Sequence, residues 1–465
     1  MRYLRAGLLS VVVVGGALCC GNPSVREVPD PLRSYDPTAI AGGDSRNDTA
    51  VYHRMGLIAS GPPLSFVGNV GFFATPSPDT TLTIIALSLP SRGLTFSHER
   101  ESYEAIYEVS VSFSQDDTEI RRIDSQDTVR VSTIGETNRT DESVLFRHDV
   151  RLPPGEYAVS YTVRDGAAGR DAVQHTRWVI PRLTQTSLST PVVVYSGTPR
   201  SHLGVVPDYL PAPRASAVFG VDKSVAVYVE AYGTSVTTPL LCTMRDTHGS
   251  IVWRDTVWLV HGGEMASGIV SIPLTGVNLG IFVLSMVRPG GLDTVQTPLF
   301  TSFGGDLPAV SFDEMLVYLQ FFANARQIAV LRSTPLSSRA AVWAAFLKAT
   351  DTIPETSRNE GLEDYFSRIR EANVRFRADA PGQGWLSDRG AVWVGLGAPD
   401  RVEEREGYGG QFSPMPGERL HVQIWEYRDL QARIIFYDAI GGEQWRLLPS
   451  SASSFRTLMA RKLAR

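Results

Sequence analysis

The sequence predicts a multidomain protein, with two all-β sandwiches followed by an α+β C-terminal domain. Three observations predict this fold class. Short β-branched or alternating runs fill residues 51–306, a weak internal repeat divides that region in two, and the composition changes to Ala, Leu, Met, Phe and Gln after Pro308. With 465 residues, of which 43% are hydrophobic and 20% charged, the chain can bury ordinary cores without disulfide staples.

Residues 1–20 have the pattern of a secretory signal. Arg2 and Arg5 precede an uncharged apolar run, residues 8–18, which is shorter than the roughly 20 residues of a membrane span. Cys20 follows this run and resembles the lipobox cysteine of bacterial lipoproteins, which becomes the lipidated first residue. The resemblance implies a lipid anchor in the cell envelope, at the periplasmic face of the outer membrane or at the cell surface. The alternative is an ordinary cleaved signal that happens to contain cysteines.

A tether and two sandwiches are predicted next. Residues 21–50 are rich in Pro, Asp, Ser and Gly and have too few large apolar groups to form a core, so we expect a disordered tether. The sandwiches follow at residues 51–182 and 183–306. Their boundary rests on the repeat, because residues 152–180 align with residues 274–302, each with a turn, a long strand, a hairpin and a closing strand. We expect both sandwiches to be immunoglobulin-like.

One uncharged stretch, residues 268–287, is long enough to be weighed as a membrane helix. Pro273, Gly276 and Asn278 lie at its middle, and β-branched residues dominate both halves. This pattern favours two buried strands around a turn. Cys242, the only cysteine beyond the signal, lies in an apolar run and is predicted to be a small buried hydrophobe.

The C-terminal domain, residues 307–465, is predicted to begin with helices and end with a small antiparallel sheet. Helices are predicted in residues 312–333 and 337–350, and a third begins near Ser357. That third helix has an apolar face at helical spacing. The residues of this face are Tyr365, Phe366, Ile369, Ala372 and Phe376. The predicted strands are residues 391–397, 421–428, 432–439 and 443–449.

A run of turn residues in this domain carries a family signature. Gly384, Trp385, Leu386, Ser387 and Asp388 resemble the signature of the GWxTD domain family, with serine in place of threonine. The resemblance covers roughly residues 310–450. Other matching positions are Asp351, Pro354, Thr356, Asn359, Glu360, Arg389, Gly390, Gly397, Pro399, Asp400 and residues 424–427, whereas Thr352 stands where the family usually has proline. The resemblance implies an envelope or secreted bacterial protein, and the family brings no established activity.

The residue types of the motif are consistent with a structural corner. Gly384 and Gly390 would allow backbone angles that other residues avoid. Trp385 would anchor the turn against the sheet, and Ser387 and Asp388 would hydrogen-bond nearby backbone amides, as turn hydroxyls and carboxylates do. Serine in place of threonine preserves the hydroxyl group.

Two other interpretations of the motif stay open, a binding site and a catalytic site. Arg389 is predicted to pair with Asp388, Asp400 or Glu360. A hydrolase of an envelope polymer would use the carboxylates of Asp388 and Glu360 together with Arg389. Pro399 and Asp400 end the motif region, and the interpretation as a structural corner includes them.

Composition argues against several function classes. The formal net charge is −5 and no Lys/Arg stripe occurs, so nucleic-acid binding is not expected. The eight histidines are scattered, and only His421 falls in the C-terminal domain, so neither a metal site nor a cofactor is expected. No serine lies in a Gly-x-Ser-x-Gly pattern, and residues 395–399 lack the third glycine, the lysine and the following helix of a phosphate loop.

The strongest sequence hint of a binding surface is a loop. Residues 403–420 are rich in Gly and Pro and carry Tyr408, Phe412 and Met415. Long loops in compact domains are usually functional or disordered. We therefore expect either a partner-binding loop or an insertion without a role.

Two functions follow from these observations. The favoured one is a lipid-anchored binding or scaffolding protein that docks another envelope protein and is not an enzyme. The alternative is the hydrolase named above. A pocket lined by convergent acids would favour the enzyme, and a shallow apolar patch would favour binding.

Overall fold

The computed structural model describes residues 48–99, 102–133, 143–290, 293–304, 307, 311–351, 353, 359–380, 383–408, 419–438, 442 and 444–464. The protein is mostly β, with several sheets and a helical C-terminal region, as the sequence predicts. The predicted signal, Cys20 and most of the predicted tether lie outside the described residues.

The first β unit follows helix α1 (Asp48–Arg54) and contains two antiparallel sheets. Its strands are β1 (Ile58–Ser60), β2 (Phe66–Ala74), β3 (Thr81–Pro90), β4 (Ser97–Glu99), β5 (Ser102–Gln115), β6 (Thr118–Val131), β7 (Ser143–Leu152), β8 (Gly155–Asp165) and β9 (Arg170–Ile180). One sheet has the order β1-β2-β3-β7; the other has the order β4-β5-β8-β9, with β6 also paired to β5. Both sheets contribute to one core because alternate residues on their strands, such as Tyr157, Val159 and Tyr161 on β8, are buried.

The second β unit is one continuous sheet of nine strands. They are β10 (Val192–Thr198), β11 (Asp208–Pro211), β12 (Ser216–Val218), β13 (Ser224–Tyr232), β14 (Thr238–Asp246), β15 (Ile251–Gly262), β16 (Met265–Pro273), β17 (Gly280–Val287) and β18 (Thr294–Ser302). The order is β11-β10-β13-β16-β15-β14-β17-β18-β12. Strand β15 pairs with β14 along its first part and with β16 through Val260, His261 and Gly262, so it joins the two halves of the sheet around a shared core.

Residues 268–287 contain the end of β16, a turn and β17, which confirms the prediction of two strands. None of the helices in the described part of the chain has the length and apolar character that a membrane crossing needs. Cys242 is fully buried on β14, as predicted. Burial, followed by the nearby charge of Asp255, raises the pKa of its thiol to about 12, so the thiolate is not populated near neutral pH.

The two β units meet across a buried junction with an ion pair at its centre. Glu230 on β13 is fully buried, and its carboxylate accepts hydrogen bonds from Arg200 Nε at 2.7 Å and Nη2 at 2.9 Å. The hydroxyls of Tyr228 and Tyr232 each donate to the same carboxylate at 2.7 Å. Arg200 Nη2 also donates to the carbonyl of Ala74 at 2.9 Å, and Ala74 belongs to β2 of the first unit. The ion pair therefore links the second β unit to the first through a hydrogen bond.

Apolar residues surround this ion pair. Phe73 on β2 contacts Tyr209 and Tyr228 of the second unit, with ring centroids 6.0 and 5.9 Å apart. The same cluster contains Leu82, Ile84, Val192 and Val194. These apolar residues and the ion pair are buried at the same junction. The first and second β units are therefore packed directly against each other rather than separated by a linker.

The C-terminal region contains six helices and a four-stranded sheet among the described residues. They are α2 (Phe312–Tyr318), α3 (Ala325–Ser333), α4 (Arg339–Thr350), α5 (Glu360–Arg375), α6 (Asp388–Leu396), β19 (Arg401–Tyr408), β20 (Arg419–Tyr427), β21 (Ala432–Asp438), β22 (Arg446–Leu447) and α7 (Pro449–Leu463). The sheet is antiparallel in chain order, and α7 is held to it where Ile435 N donates to Ser451 Oγ at 3.0 Å.

Helix α5 confirms the predicted apolar face, because all five of its residues are buried. Its start differs from the prediction. Asn359 caps the helix, with its side-chain oxygen accepting from Leu362 N at 2.9 Å, whereas Ser357 lies outside the described residues.

The strand predicted at residues 391–397 is wrong, because residues 391–396 lie in helix α6 and Gly397 ends it. Val392, Trp393 and Val394 are all buried, so the second half of the helix is apolar on every side. A short run of this kind has the same composition whether it forms a buried strand or a buried helix. The strand predicted at residues 443–449 is also shorter than expected, since β22 has two residues and Pro449 already begins α7.

The helices of the C-terminal region share their core with the second β unit. Trp343 on α4 is fully buried, and its ring centroid lies 4.7 Å from that of Phe303, just after β18. Phe219 and Phe312 complete this aromatic cluster. Gly220 packs against α4 so closely that a Cβ there would lie 2.6 Å from the carbonyl of Ala340. The predicted boundary at residue 307 thus falls inside a shared core.

Candidate functional site

The motif begins as a short 3-10 turn, Gly384–Leu386, pressed against helix α5. Gly384 has no room for a side chain, since a Cβ would lie 2.5 Å from the carbonyl of Ala372. Trp385 is 4% exposed, and its ring stacks on Tyr318 with centroids 5.1 Å apart. Its backbone N–H donates to Asn373 Oδ1 at 3.2 Å. The predicted anchor role of Trp385 is consistent with this position, although the ring packs on helices rather than on the sheet.

Ser387 caps helix α6. Its hydroxyl donates to the carbonyl of Gly384 at 2.7 Å and accepts from Gly390 N at 3.0 Å. Gly390 lies so close to the turn that a Cβ would approach the carbonyl of Gly384 to 1.9 Å. Neither glycine has a positive φ, so the expected backbone freedom is the wrong reason for them. Their lack of a side chain lets the turn and the two helices touch.

Asp388 is the first residue of α6, where a carboxylate interacts favourably with the positive end of the helix dipole. Its Oδ2 accepts a hydrogen bond from Leu447 N at 2.6 Å. Leu447 is in β22, 59 residues further along the chain. Asp388 therefore joins the motif to the edge of the C-terminal sheet, a longer-range bond than the local turn contact that the sequence predicts.

Arg389 pairs with Asp379, not with any of the three acids proposed from the sequence. Its Nε and Nη2 donate to the two carboxylate oxygens at 2.8 and 2.6 Å, a bidentate arrangement. The two side chains are 12% and 1% exposed. The guanidinium also lies over the rings of Phe376 and Trp445, at 5.2 and 5.1 Å from their centroids. Sequence reasoning missed Asp379 because nothing local distinguishes it from the other acids.

The end of the motif fixes the turn between α6 and β19. Asp400 Oδ2 accepts from Arg428 N at 2.6 Å, and Asp400 N donates to the carbonyl of Glu426 at 2.9 Å. Tyr427 donates to the carbonyl of Gly397 at 3.0 Å. Pro399, between these residues, is half-buried. This exit turn is thereby bonded to the end of β20 and the residue that follows it.

Residues 297–408 match the family model of the GWxTD domain. The chain carries a GWxTD domain. The match begins within β18 and ends with β19, earlier at both ends than the span expected from the sequence.

No curated protein matches the chain. Among solved structures, dimeric latent PorU from Porphyromonas gingivalis is similar over 50% of this chain and 20% of that chain, with 10% identity and a TM-score of 0.24. The chain thus spans about a fifth of the length of that structure.

The polar groups of the GWxTD motif form hydrogen bonds within the protein. Ser387, Asp388, Arg389 and Asp400 each have a backbone or side-chain partner at 3.0 Å or less. A catalytic pair would instead present its carboxylates to a common cavity. What this arrangement does is hold a turn, two helices and a sheet edge together.

The predicted partner-binding loop is shorter than expected, because residues 403–408 lie in β19 and residues 419–420 lie in β20, and residues 409–418 lie outside the described residues. Tyr408 is the last residue of β19, where its backbone pairs with Arg419. Its side chain, Phe412 and Met415 lie outside what the structure describes. The partner-binding role of these three residues therefore stays a prediction.

An apolar patch on the second β unit was not predicted. Trp258 and Val260, two residues apart on β15, point to the same side of the strand and are 63% and 68% exposed. Leu241 on β14 is 47% exposed, and Pro239 lies opposite Trp258. Leu241 also pairs with Val287 on β17. We call these five residues the β15 patch. The signal in the sequence is that residues 251–262 carry apolar side chains on both faces of the strand.

A separate groove of about 930 Å³ opens on the outer face of the first β unit. Its lining includes Glu99, Glu104, Glu108 and Ile106, and Glu104 pairs with Arg130 at 2.7 Å. No residue of the GWxTD motif lines it. The groove, the β15 patch and the motif are three distinct features.

Proposed function

We propose that the protein is a lipid-anchored binding or scaffolding protein of the cell envelope that docks another envelope protein. In this proposal the signal and Cys20 supply the anchor, and the two β units are immunoglobulin-like sandwiches divided as the sequence suggests. The GWxTD domain stabilises the far end of the second sandwich. The observation that carries the proposal is the β15 patch.

The β15 patch has the composition of an interface centre. Tryptophan is enriched among the residues that contribute most to binding affinity. Such residues are typically surrounded by contacts that contribute little affinity themselves but exclude water. Trp258 is flanked by Val260 along the strand and by Pro239 across it, so its indole lies on an apolar surface rather than among charges. Contiguous exposed apolar side chains on a soluble surface are typical of an interaction site.

The patch also stands on a rigid base. Its strands β14 and β15 have their other faces in the core, where Leu240, Cys242 and Leu259 are fully buried. The Arg200–Glu230 pair fixes this unit to the first, and the Phe303–Trp343 contact fixes it to the GWxTD domain. A preorganised surface loses less conformational entropy when a partner binds.

The contacts of the motif support this proposal over the hydrolase. A hydrolase around Asp388, Arg389 and Glu360 would need these groups to be available to a substrate. Asp388 instead accepts from Leu447 N, and Arg389 is held by Asp379 beneath two aromatic rings. Both side chains already have a structural role.

The anchor is tested by replacing Cys20 with alanine. We expect the wild-type protein in the membrane fraction and Cys20→Ala in the soluble or secreted fraction, because the lipid is attached through that sulfur. Cys19→Ala is the matched control and should stay in the membrane fraction. An unmodified wild-type N-terminus downstream of residue 20, found by mass spectrometry, would contradict the anchor.

The binding role is tested by cross-linking in native envelopes followed by pull-down. Trp258→Ser should lower the recovery of the main cross-linked protein at least about tenfold, since interface tryptophans often contribute about 2 kcal/mol or more. Tyr195→Ser is the control, because Tyr195 is 62% exposed on β10 of the same unit but outside the patch. Equal recovery by wild type and Trp258→Ser would contradict a role for the patch.

A further inference from the structure

Two stretches of the C-terminal region carry only positive charge. Residues 319–350 contain four basic and no acidic side chains, and residues 444–465 contain five basic and no acidic side chains. The whole chain has a formal net charge of −5, so this is a local reversal of sign. Helices α3 and α4 lie in the first stretch and α7 in the second.

The fold brings the two stretches together. Asn324, the cap of α3, donates from Nδ2 to the carbonyl of Leu463 at 3.5 Å, and the rings of Phe321 and Phe455 lie 6.1 Å apart. Arg326 follows Asn324 by two residues, and Arg461 precedes Leu463 by two. The start of α3 therefore lies beside the end of α7, with Arg326 and Arg461 near this contact and Arg332 and Arg456 further along the same two helices. We call the exposed side chains of these two helices, together with Leu336, the α3–α7 surface.

The arginines of this surface are available to an external anion. Arg326, Arg332, Arg456 and Arg461 are exposed, and in the described part of the chain none of them forms an ion pair with a carboxylate. Other basic side chains nearby are already engaged. Arg339 pairs with Asp313, Arg368 pairs with Asp364, and Lys462 donates to the carbonyl of Gly395.

Exposed apolar side chains accompany these four arginines. Val330 on α3 is 50% exposed, and Leu336, between α3 and α4, is 57% exposed. Ala325 and Ala329 are also exposed on α3. Helices that lie in a membrane interface combine arginines with apolar side chains in this way, whereas binding to a soluble polyanion needs only the charges.

We infer that the α3–α7 surface binds anionic phospholipid headgroups. The planar guanidinium group matches a phosphate with two hydrogen bonds, and Val330, one helical turn after Arg326 on the same face of α3, can enter the headgroup region beside it. Each basic residue near an anionic leaflet contributes about 1 kcal/mol, which is roughly a fivefold change in partitioning. Four arginines together are expected to change it by about 100-fold or more.

The test uses residues 21–465, the proposed mature chain without a lipid, and co-sedimentation with vesicles. The wild-type protein should bind phosphatidylglycerol vesicles and not phosphatidylcholine vesicles, and binding should fall steeply between about 0.1 and 1 M salt, where the Debye length falls from about 10 to 3 Å. Replacing Arg326, Arg332, Arg456 and Arg461 with glutamine should lower the partition coefficient by about 100-fold or more.

A matched control changes the same charge elsewhere. Replacing Arg121, Arg164, Arg254 and Arg428, all exposed, with glutamine should leave vesicle binding within about threefold of wild type. Unchanged thermal unfolding of both quadruple variants would show that they fold. The inference is overturned if the first variant still binds phosphatidylglycerol like wild type, or if the wild-type protein ignores these vesicles and binds polyglutamate or DNA instead. Because no lipid is attached in this experiment, its result is independent of Cys20.

Discussion

Glu230→Ala should lower the free energy of unfolding by about 3–5 kcal/mol. The substitution leaves the Arg200 guanidinium buried at the junction between the β units without its carboxylate, and it also removes the acceptor of Tyr228 and Tyr232. The loss of free energy is large mainly because the charge of Arg200 is left buried without a counter-charge. The lost hydrogen bonds contribute less.

Urea denaturation of the full chain measures this effect. The control is Glu156→Ala, which removes an ion pair with Arg177 whose side chains are 63% and 80% exposed, and it should change stability by less than about 1 kcal/mol. The double variant Arg200→Met with Glu230→Leu should be more stable than Glu230→Ala, because it removes both charges. A Glu230→Ala protein that unfolds at the wild-type urea concentration would show that the junction contributes little.

Trp385→Ala should also destabilise the protein by about 3–5 kcal/mol, the usual result of deleting a fully buried aromatic. The Trp385 ring stacks on Tyr318 and lies near Phe321. Its removal would therefore leave a cavity between the motif turn, the end of α2 and the residues that follow α2. Asp388→Asn should have a smaller effect, because an amide oxygen can still accept the hydrogen bond of Leu447 N.

Comparing these two variants separates the interpretations of the motif. If the motif is structural, thermal unfolding and recovery of the cross-linked partner should fall together, strongly for Trp385→Ala and weakly for Asp388→Asn. An Asp388→Asn protein with an unchanged melting temperature and no partner binding would instead identify Asp388 as a site residue.

Periodic features of the chain could be predicted from the sequence. The buried face of α5 and the alternation on β8 depend only on side-chain spacing within one element, so they can be read locally. The helical state of residues 391–396 could not, because a short run that is apolar on all sides has no period to measure.

Features that depend on two distant segments could not be predicted. Arg200 reaches Ala74 across 126 residues, and Asp388 reaches Leu447 across 59. Gly384 and Gly390 are small because other backbone segments touch them, which their own φ angles do not reveal. The family motif was recognisable from the sequence, but the partner of each of its polar groups is set by the tertiary fold.

The contact between Phe303 and Trp343 determines where this chain can be cut. A transplanted domain that began at residue 307 would leave one side of Trp343 facing water, because Phe219 and Phe303 would stay behind. A cut before β18 would keep Phe303 but would strip that strand from β17, its antiparallel neighbour. A GWxTD domain moved into another protein would therefore keep this aromatic core only if the second β unit on its N-terminal side moved with it.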